Sequence, residues 1–330
     1  MRAIIPVAGL GTRLKPHTHS LPKVLLNVGG KPILGHILDK LLEENITKAT
    51  FVVGYMADRI ENYVTTKYPK VNAAFVEQKE MLGLGHAIYT AIPTFDEEEI
   101  FIILGDTVFD VNLKQLFGLK TSALGVKHVD DPRRFGVAVT QNDLITKLVE
   151  KPTELVSKLA LVGLYYIKNA DALVRALNEL VEKDIRTKNE LQLTDALQIM
   201  IEKGEKISTF PVEGWYDCGK PETLLSTNQF LLSQNARKIL IENVVINEPV
   251  FIADNAKISN SVIGPYTTVA EGCEIKDSII RNSIINENGV VHKTMLDNSI
   301  IGSNAVIKGN YKKLNAGDSS EIEFYSVNYL

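Results

Sequence analysis

Ala3-Ile4-Ile5-Pro6-Val7-Ala8-Gly9-Leu10-Gly11-Thr12-Arg13 carries an apolar run that stops at two glycines. The run is short and uncharged, so it reads as a buried strand, and Gly9-Leu10-Gly11 closes it with a tight turn. Glycines at such a turn let backbone N–H groups approach a phosphate that side chains would obstruct. The following residues exclude two familiar phosphate loops. A P-loop has Lys then Ser or Thr after its second glycine, and here Thr12-Arg13 follows Gly11. The dinucleotide fingerprint needs a third glycine where Leu14 stands.

Working outward, Ile33, Leu34, Ile37, Leu38, Leu41 and Leu42 recur at helical spacing and predict a helix near Ile33 to Glu44. Phe51-Val52-Val53, Ala73-Ala74-Phe75-Val76 and Phe101-Ile102-Ile103-Leu104 read as further strands. Strands alternating with helices imply an α/β fold, a Rossmann-like and mostly parallel sheet covered on both faces. The strands expected at Val137 to Val139, Ile145 to Val149 and Leu161 to Ile167 come with fewer helices between them. They predict an antiparallel or mixed portion. After about Gln234 helical periodicity stops. Ile252, Ile258, Ile263, Val269, Ile275, Ile280, Ile285, Val291, Leu296, Ile301 and Ile307 then recur every five or six residues, between small and polar turn residues. That period predicts a short left-handed parallel β-helix of hexapeptide repeats, each recurring aliphatic pointing into its core. The expected domains are 1–234 and 235–330.

Of the 330 residues, 45% are hydrophobic and 23% charged, an ordinary globular composition. A net charge of −4 gives no general attraction to nucleic acid or anionic membranes, so a polyanionic ligand needs local cations, dipoles or a metal. The two cysteines, Cys218 and Cys273, form no CxxC pair, which points to a reducing compartment. Ala3 to Ala8 is too short for a signal-peptide core, and no run approaches membrane-spanning length. The expected location is the cytoplasm, without nucleic-acid or membrane partners.

The wider stretch around the glycine turn is more specific. Gly9-Leu10-Gly11-Thr12-Arg13-Leu14, Pro16, Thr18, Pro22-Lys23, Leu25-Leu26, Val28 and Lys31-Pro32 resemble the signature of nucleotidyltransferases that activate sugar 1-phosphates. The skeleton is that of glucose-1-phosphate uridylyl- and thymidylyltransferases. The resemblance implies that Ala8, Gly9, Gly11 and Thr12 bind the nucleotide, and that Arg13 and Lys23 neutralise charge on the transferring phosphate. Gln78 and Gly83 match the base-reading segment, glutamine offering a donor and an acceptor to a pyrimidine. Asp106, after an apolar strand, and Asp217, in Trp215-Tyr216-Asp217-Cys218-Gly219, match the residues that hold Mg²⁺, a hard cation taking oxygen ligands. Gly136, Glu150, Lys151, Tyr165 and Glu190 match the sugar-phosphate side. The resemblance implies that Glu150 takes sugar hydroxyls, Lys151 the phosphate and Tyr165 a phosphate oxygen. Thr107 departs from the Asn that thymidylyltransferases often have there.

Taken singly, these residues have plainer readings. Gln78 could be a surface side chain, Gly83 a helix start, His86 helix packing and Asp106 a turn or cap. The substrates implied are a nucleoside triphosphate (UTP or dTTP favoured) and a sugar 1-phosphate (glucose 1-phosphate favoured). Mannose- or N-acetylglucosamine-specific pyrophosphorylases and a non-catalytic regulatory relative are alternatives. A regulatory relative would lose the charged groups, whereas Arg13, Lys23, Asp106 and Asp217 are all present. An acyltransferase would need a longer repeat region, so the repeats read as a packing module of a homo-oligomer.

Overall fold

Branched aliphatic residues in uncharged runs lose little χ1 freedom on a pleated surface, and they build the strands here. The computed structural model describes residues 1–234, 238–309 and 314–323. By internal contacts the chain forms two units, Met1–Gly9 with Ile37–Trp215, and Leu10–His36 with the described residues from Tyr216 onward.

The first unit holds nine strands in one sheet: β1 (Arg2–Pro6), β2 (Lys48–Val53), β3 (Asn72–Glu77), β4 (Ile100–Ile103), β5 (Ser122–His128), β6 (Gly136–Gln141), β7 (Leu144–Glu150), β8 (Leu159–Ile167) and β9 (Ile207–Pro211). Their order is β3-β2-β1-β4-β8-β5-β9-β7-β6. From β3 to β4 every pairing is parallel, with Ile4 opposite Thr50 on one side and Ile102 on the other. From β8 onward the sheet is mixed: β8 runs antiparallel to β4 and β5, and β7 antiparallel to β6. The sparser helices anticipated this, since antiparallel neighbours need no crossover helix. Helix α1 (Ile33–Glu43) joins the two units in sequence, and α2 (Ala57–Lys67) and α3 (Leu84–Thr90) follow β2 and β3. Helices α4 (Ala170–Glu182) and α5 (Leu193–Glu202) complete the cover, burying Leu173, Leu177, Leu180, Leu193 and Leu197 in the core with Ile102, Leu124 and Ile167.

In the second unit the repeats form three sheets of short parallel strands. Their pairings stack three aliphatic columns: Ile246-Ile263-Ile280-Leu296, Ile252-Val269-Ile285-Ile301-Ala316 and Ile258-Ile275-Val291-Ile307-Ile322. All eleven positions picked out by their spacing lie in these columns. Three sheets of stacked parallel strands are a parallel β-helix. Its coils tighten along the chain: 275 − 258 is 17 residues, 291 − 275 and 307 − 291 are 16, and 322 − 307 is 15. At the corners, Ser261 Oγ accepts from Ser278 N at 3.1 Å and Ser278 Oγ from Thr294 N at 3.2 Å, satisfying backbone groups between coils. Asn260, Asn282, Asn288, Asn298 and Asn304 take the left-handed conformation at turns, which their short polar side chains tolerate.

Residues 10–36 and 216–234, expected with the first domain, group with the repeats instead. One buried side chain accounts for much of this. Asn228, on helix α6 (Pro221–Gln234), accepts from Gly29 N at 2.8 Å and from the Thr268 hydroxyl at 2.6 Å, and donates to Tyr266 O at 3.1 Å. Gly29 and Gly30 lie at positive φ between the two-residue strands Asn27–Val28 and Lys31–Pro32. Added side chains there would collide with Leu231 and Phe251.

Candidate active site

The glycine turn opens no long helix. Gly11, at φ 62, is followed by a three-residue 3₁₀ turn, Thr12–Leu14, because Pro16 disfavours helix at Lys15 and Pro22 interrupts the next stretch. The cations here are therefore carried by side chains at defined places rather than by a helix terminus. A Cβ at Gly11 would meet Lys23 Cβ and Thr18 Cγ2, each at 3.0 Å, so the turn lies directly against Lys23, which is buried. The Thr18 hydroxyl donates to Gly11 O at 2.9 Å. Arg13 is exposed, and its guanidinium and the Asp217 carboxylate both lie beside Gly219. A Cβ on Gly219 would stand 2.8 Å from Asp217 Oδ1 and 3.0 Å from Arg13 Nη2. The second unit thus brings Gly11, Thr12, Arg13, Lys23 and Asp217 to one neighbourhood. Cys218 beside them is buried, its Sγ 3.5 Å from Thr227 Oγ1, and serves packing.

The first unit carries the remaining candidates. Ala8 and Gly9 end the β1 segment, and Asp106 follows β4, half-buried, with the Thr107 hydroxyl at 3.4 Å. Gly105 N donates to Pro6 O at 3.3 Å, tying the Asp106 loop to β1. Gln78 is buried rather than a surface side chain. Its Nε2 donates to Gly83 O at 3.1 Å and faces His86 Nδ1 at 3.2 Å, leaving Oε1 without a partner among the described residues. His86 thus orients Gln78 and does more than pack its helix. Gly83 has φ 115, and a Cβ there would come 2.6 Å from Leu191 O. Gly85 N donates to that same carbonyl at 2.8 Å. The Gln78–Gly85 segment is thereby fixed against Glu190 and Leu191. Glu190 is exposed, its Oε2 accepting from Gln192 Nε2 at 2.8 Å.

Glu150 gathers the sugar-side residues. Its Oε2 accepts from the Thr194 hydroxyl at 2.8 Å, and its Oε1 lies 3.4 Å from Lys151 Nζ. A Cβ at Gly136 would stand 2.9 Å from Glu150 Oε2, so glycine there leaves room for the carboxylate. Lys151 sits at φ 42, a left-handed conformation held by Lys151 N donating to Phe135 O at 3.0 Å. Burial, and secondly the Glu150 charge, push the Tyr165 phenol above its usual range. Asp195, in the first turn of α5, stands next to Thr194. Burial foremost, then the Glu150 charge, raise its carboxyl above the usual range, against a Thr187 hydrogen bond, and Oδ2 is buried without a hydrogen-bond partner among the described residues. A Thr-Asp pair in the first turn of a helix reads equally well as a cap, so the sequence alone does not mark Thr194 and Asp195.

Residues 2–234 match the family model described as nucleotidyl transferase. The chain belongs to the nucleotidyl transferase family. Among relatives of this nucleotidyl transferase, a glucose-1-phosphate thymidylyltransferase of Streptomyces antibioticus is 30% identical, the alignment covering 99% of this chain and all of that one. The bifunctional protein GlmU of Methanococcus maripaludis is 32% identical over 92% of this chain and 78% of its own. Among solved structures, an apo UDP-glucose pyrophosphorylase superposes with a TM-score of 0.63 at 26% identity. It covers 71% of this chain and 98% of that one. As a family member the protein is a nucleotidyl-transferring enzyme with a mixed α/β sheet.

Proposed function

We propose that this nucleotidyl transferase joins a nucleoside triphosphate to a sugar 1-phosphate, giving a nucleotide sugar and pyrophosphate. The observation that carries the reading is that Arg13, two residues along from a glycine turn that backs onto Lys23, and Asp217 both lie beside Gly219. A phosphate monoester has its second pKa near ~6, so the acceptor oxygen is anionic at neutral pH and needs no general base. That oxygen bonds to the α-phosphorus as the bond to the α–β bridging oxygen breaks, and its electron pair leaves on pyrophosphate. Arg13 offers a planar fork to the phosphate oxygens, and Lys23, buried against the Gly11 turn, a point charge.

Among the described residues no group of three or more His, Cys, Asp and Glu converges on a metal position. Carboxylates contributed singly suit Mg²⁺, which takes one or two and completes its shell with water and substrate phosphate oxygens. Asp106 and Asp217 are the residues assigned to it; when bound, the ion neutralises phosphate charge. Glu150, held by Thr194, takes sugar hydroxyls, while Lys151 and the Tyr165 hydroxyl take the sugar phosphate, with Gly136 beside Glu150 and Glu190 assigned to the same substrate. The Oε1 of Gln78, without a partner among the described residues, accepts from N3–H of uracil or thymine, whereas cytosine presents a lone pair at that position. UTP or dTTP and glucose 1-phosphate are the favoured substrates.

Residues 1–234 are assigned to this chemistry and 235–330 to a repeat module of a homo-oligomer. No helix among the described residues is long and apolar enough to cross a membrane. Two free, buried cysteines accord with a reducing cytoplasmic setting. A panel of UTP, dTTP, CTP, GTP and ATP against glucose, mannose and N-acetylglucosamine 1-phosphates, followed by pyrophosphate release, tests the assignment. Turnover should be highest with UTP or dTTP. Preference for ATP or CTP would overturn the role given to Gln78.

A further inference from the structure

His17 lies four residues beyond Arg13, in surroundings unusual for a histidine on a loop. It is 1% exposed. Its Nε2 is hydrogen-bonded to the side-chain oxygen of Asn315, in the last described coil of the β-helix. That oxygen can only accept, so Nε2 carries the hydrogen. Nδ1 is buried with no hydrogen-bond partner among the described residues. Burial holds the imidazole below the usual histidine range, while the Asn315 hydrogen bond and the Asp318 charge pull the other way. The neutral ring with its hydrogen on Nε2 is the form that strands no buried N–H.

Beside it, Pro16 backs onto Gly317. A Cβ at Gly317 would come 2.9 Å from Pro16 Cβ and 3.1 Å from its Cγ. Two consecutive residues of the loop therefore touch one coil of the repeats. The same residues are tied to the phosphate turn on their other side. His17 N donates to Leu14 O at 3.0 Å, Leu14 N to Gly11 O at 2.9 Å, and the Thr18 hydroxyl to Gly11 O. The contacts run from Asn315 and Gly317 through His17 and Pro16 into Gly11–Leu14, the stretch that carries Arg13.

We infer that the last coil of the β-helix, through Asn315 on His17 and Gly317 on Pro16, sets the position of the phosphate-binding turn, making His17 a positioning residue for the nucleoside triphosphate. A turn with one 3₁₀ turn of its own has little internal structure to hold it. Fixing it beforehand removes an ordering cost that would otherwise fall on ligand binding. The inference rests on the nucleotidyl-transfer reading and gives the repeats a part in the chemistry separate from assembly.

Steady-state kinetics on the full chain test it, with UTP and dTTP as probes, glucose 1-phosphate as acceptor, and light scattering and thermal melts alongside. Asn315→Ala removes the acceptor, and Gly317→Ala presses a methyl group against Pro16. Each should raise KM for the triphosphate by about tenfold. KM for the sugar phosphate should stay within about twofold and the oligomeric mass should not change. Asn315→Asp keeps an acceptor for Nε2–H and should stay near the wild-type KM. Gly317→Ala alone carries the test where Asn315→Ala fails to fold. An unchanged triphosphate KM in the folded variants overturns the inference whatever their melting temperatures do, and so do equal rises in both KM values. A wild-type chain that releases no pyrophosphate from either probe overturns the functional reading, and the inference with it.

Discussion

Gly219 shows how closely the charged groups are fitted. A Cβ added there would stand 2.8 Å from Asp217 Oδ1 and 3.0 Å from Arg13 Nη2, so a side chain would displace one group or the other. Gly219→Ala should therefore lower kcat/KM by at least about tenfold, because misplacing a charge-stabilising group by a fraction of an ångström suffices. The backbone at Gly219 is not at positive φ, so the fold should tolerate alanine. Thermal melts within a few degrees of wild type, measured beside the kinetics, would separate this effect from unfolding. Arg13, Lys23, Asp106 and Asp217 could all be picked from the sequence because their flanking motifs are local. The roles of Gln78 and His86 could not. The glutamine spends its amide nitrogen on Gly83 O and His86, and only the fold brings those three together.

Among the elements, the β-helix was the most legible, because one aliphatic residue per five or six is a period that neither a helix nor an ordinary strand shares. Every position in that series stacks in a column, and Ile263, Val269, Ile280, Ile285, Val291, Ile301 and Ile307 are fully buried. Ile252 and Ile258 are only half-buried, since they lie in the first coil of their columns with a neighbour on one side alone. Ile280 sits between Ile263 and Leu296, so Ile280→Ala leaves a cavity that neighbouring coils cannot readily close. It should cost about 2–4 kcal/mol in urea denaturation. Ile258→Ala, at the edge, should cost clearly less. The helix from Ile33 and the strands of the first unit could also be read from their periods. The 3₁₀ turn after Gly11 was harder, because a glycine turn followed by Thr-Arg-Leu is compatible with a helix start until Pro16 and Pro22 are weighed.

Across the whole molecule, the chain sequence and the contacts divide the protein differently. Composition places a boundary near 234, where periodicity changes. The contacts instead attach 10–36 and 216–234 to the repeats through Asn228, Gly29, Gly30, Pro16 and His17. Pairings across some two hundred or three hundred positions leave no periodic trace, so a single sequence could not reveal them. The functional consequence is that Arg13, Lys23 and Asp217 belong with the repeats, while Gln78, Asp106 and Glu150 belong with the nine-stranded sheet. The most direct measurement is the rate of pyrophosphate release from UTP or dTTP with glucose 1-phosphate and Mg²⁺, in the wild type and in Asp106→Asn. The substitution keeps the shape and one acceptor oxygen but removes one negative charge assigned to the metal. The rate should fall by about a hundredfold or more, with an unchanged melting temperature, and excess EDTA should abolish release by the wild type. Near-normal release by Asp106→Asn, or full wild-type activity in EDTA, would contradict metal-assisted nucleotidyl transfer at these residues.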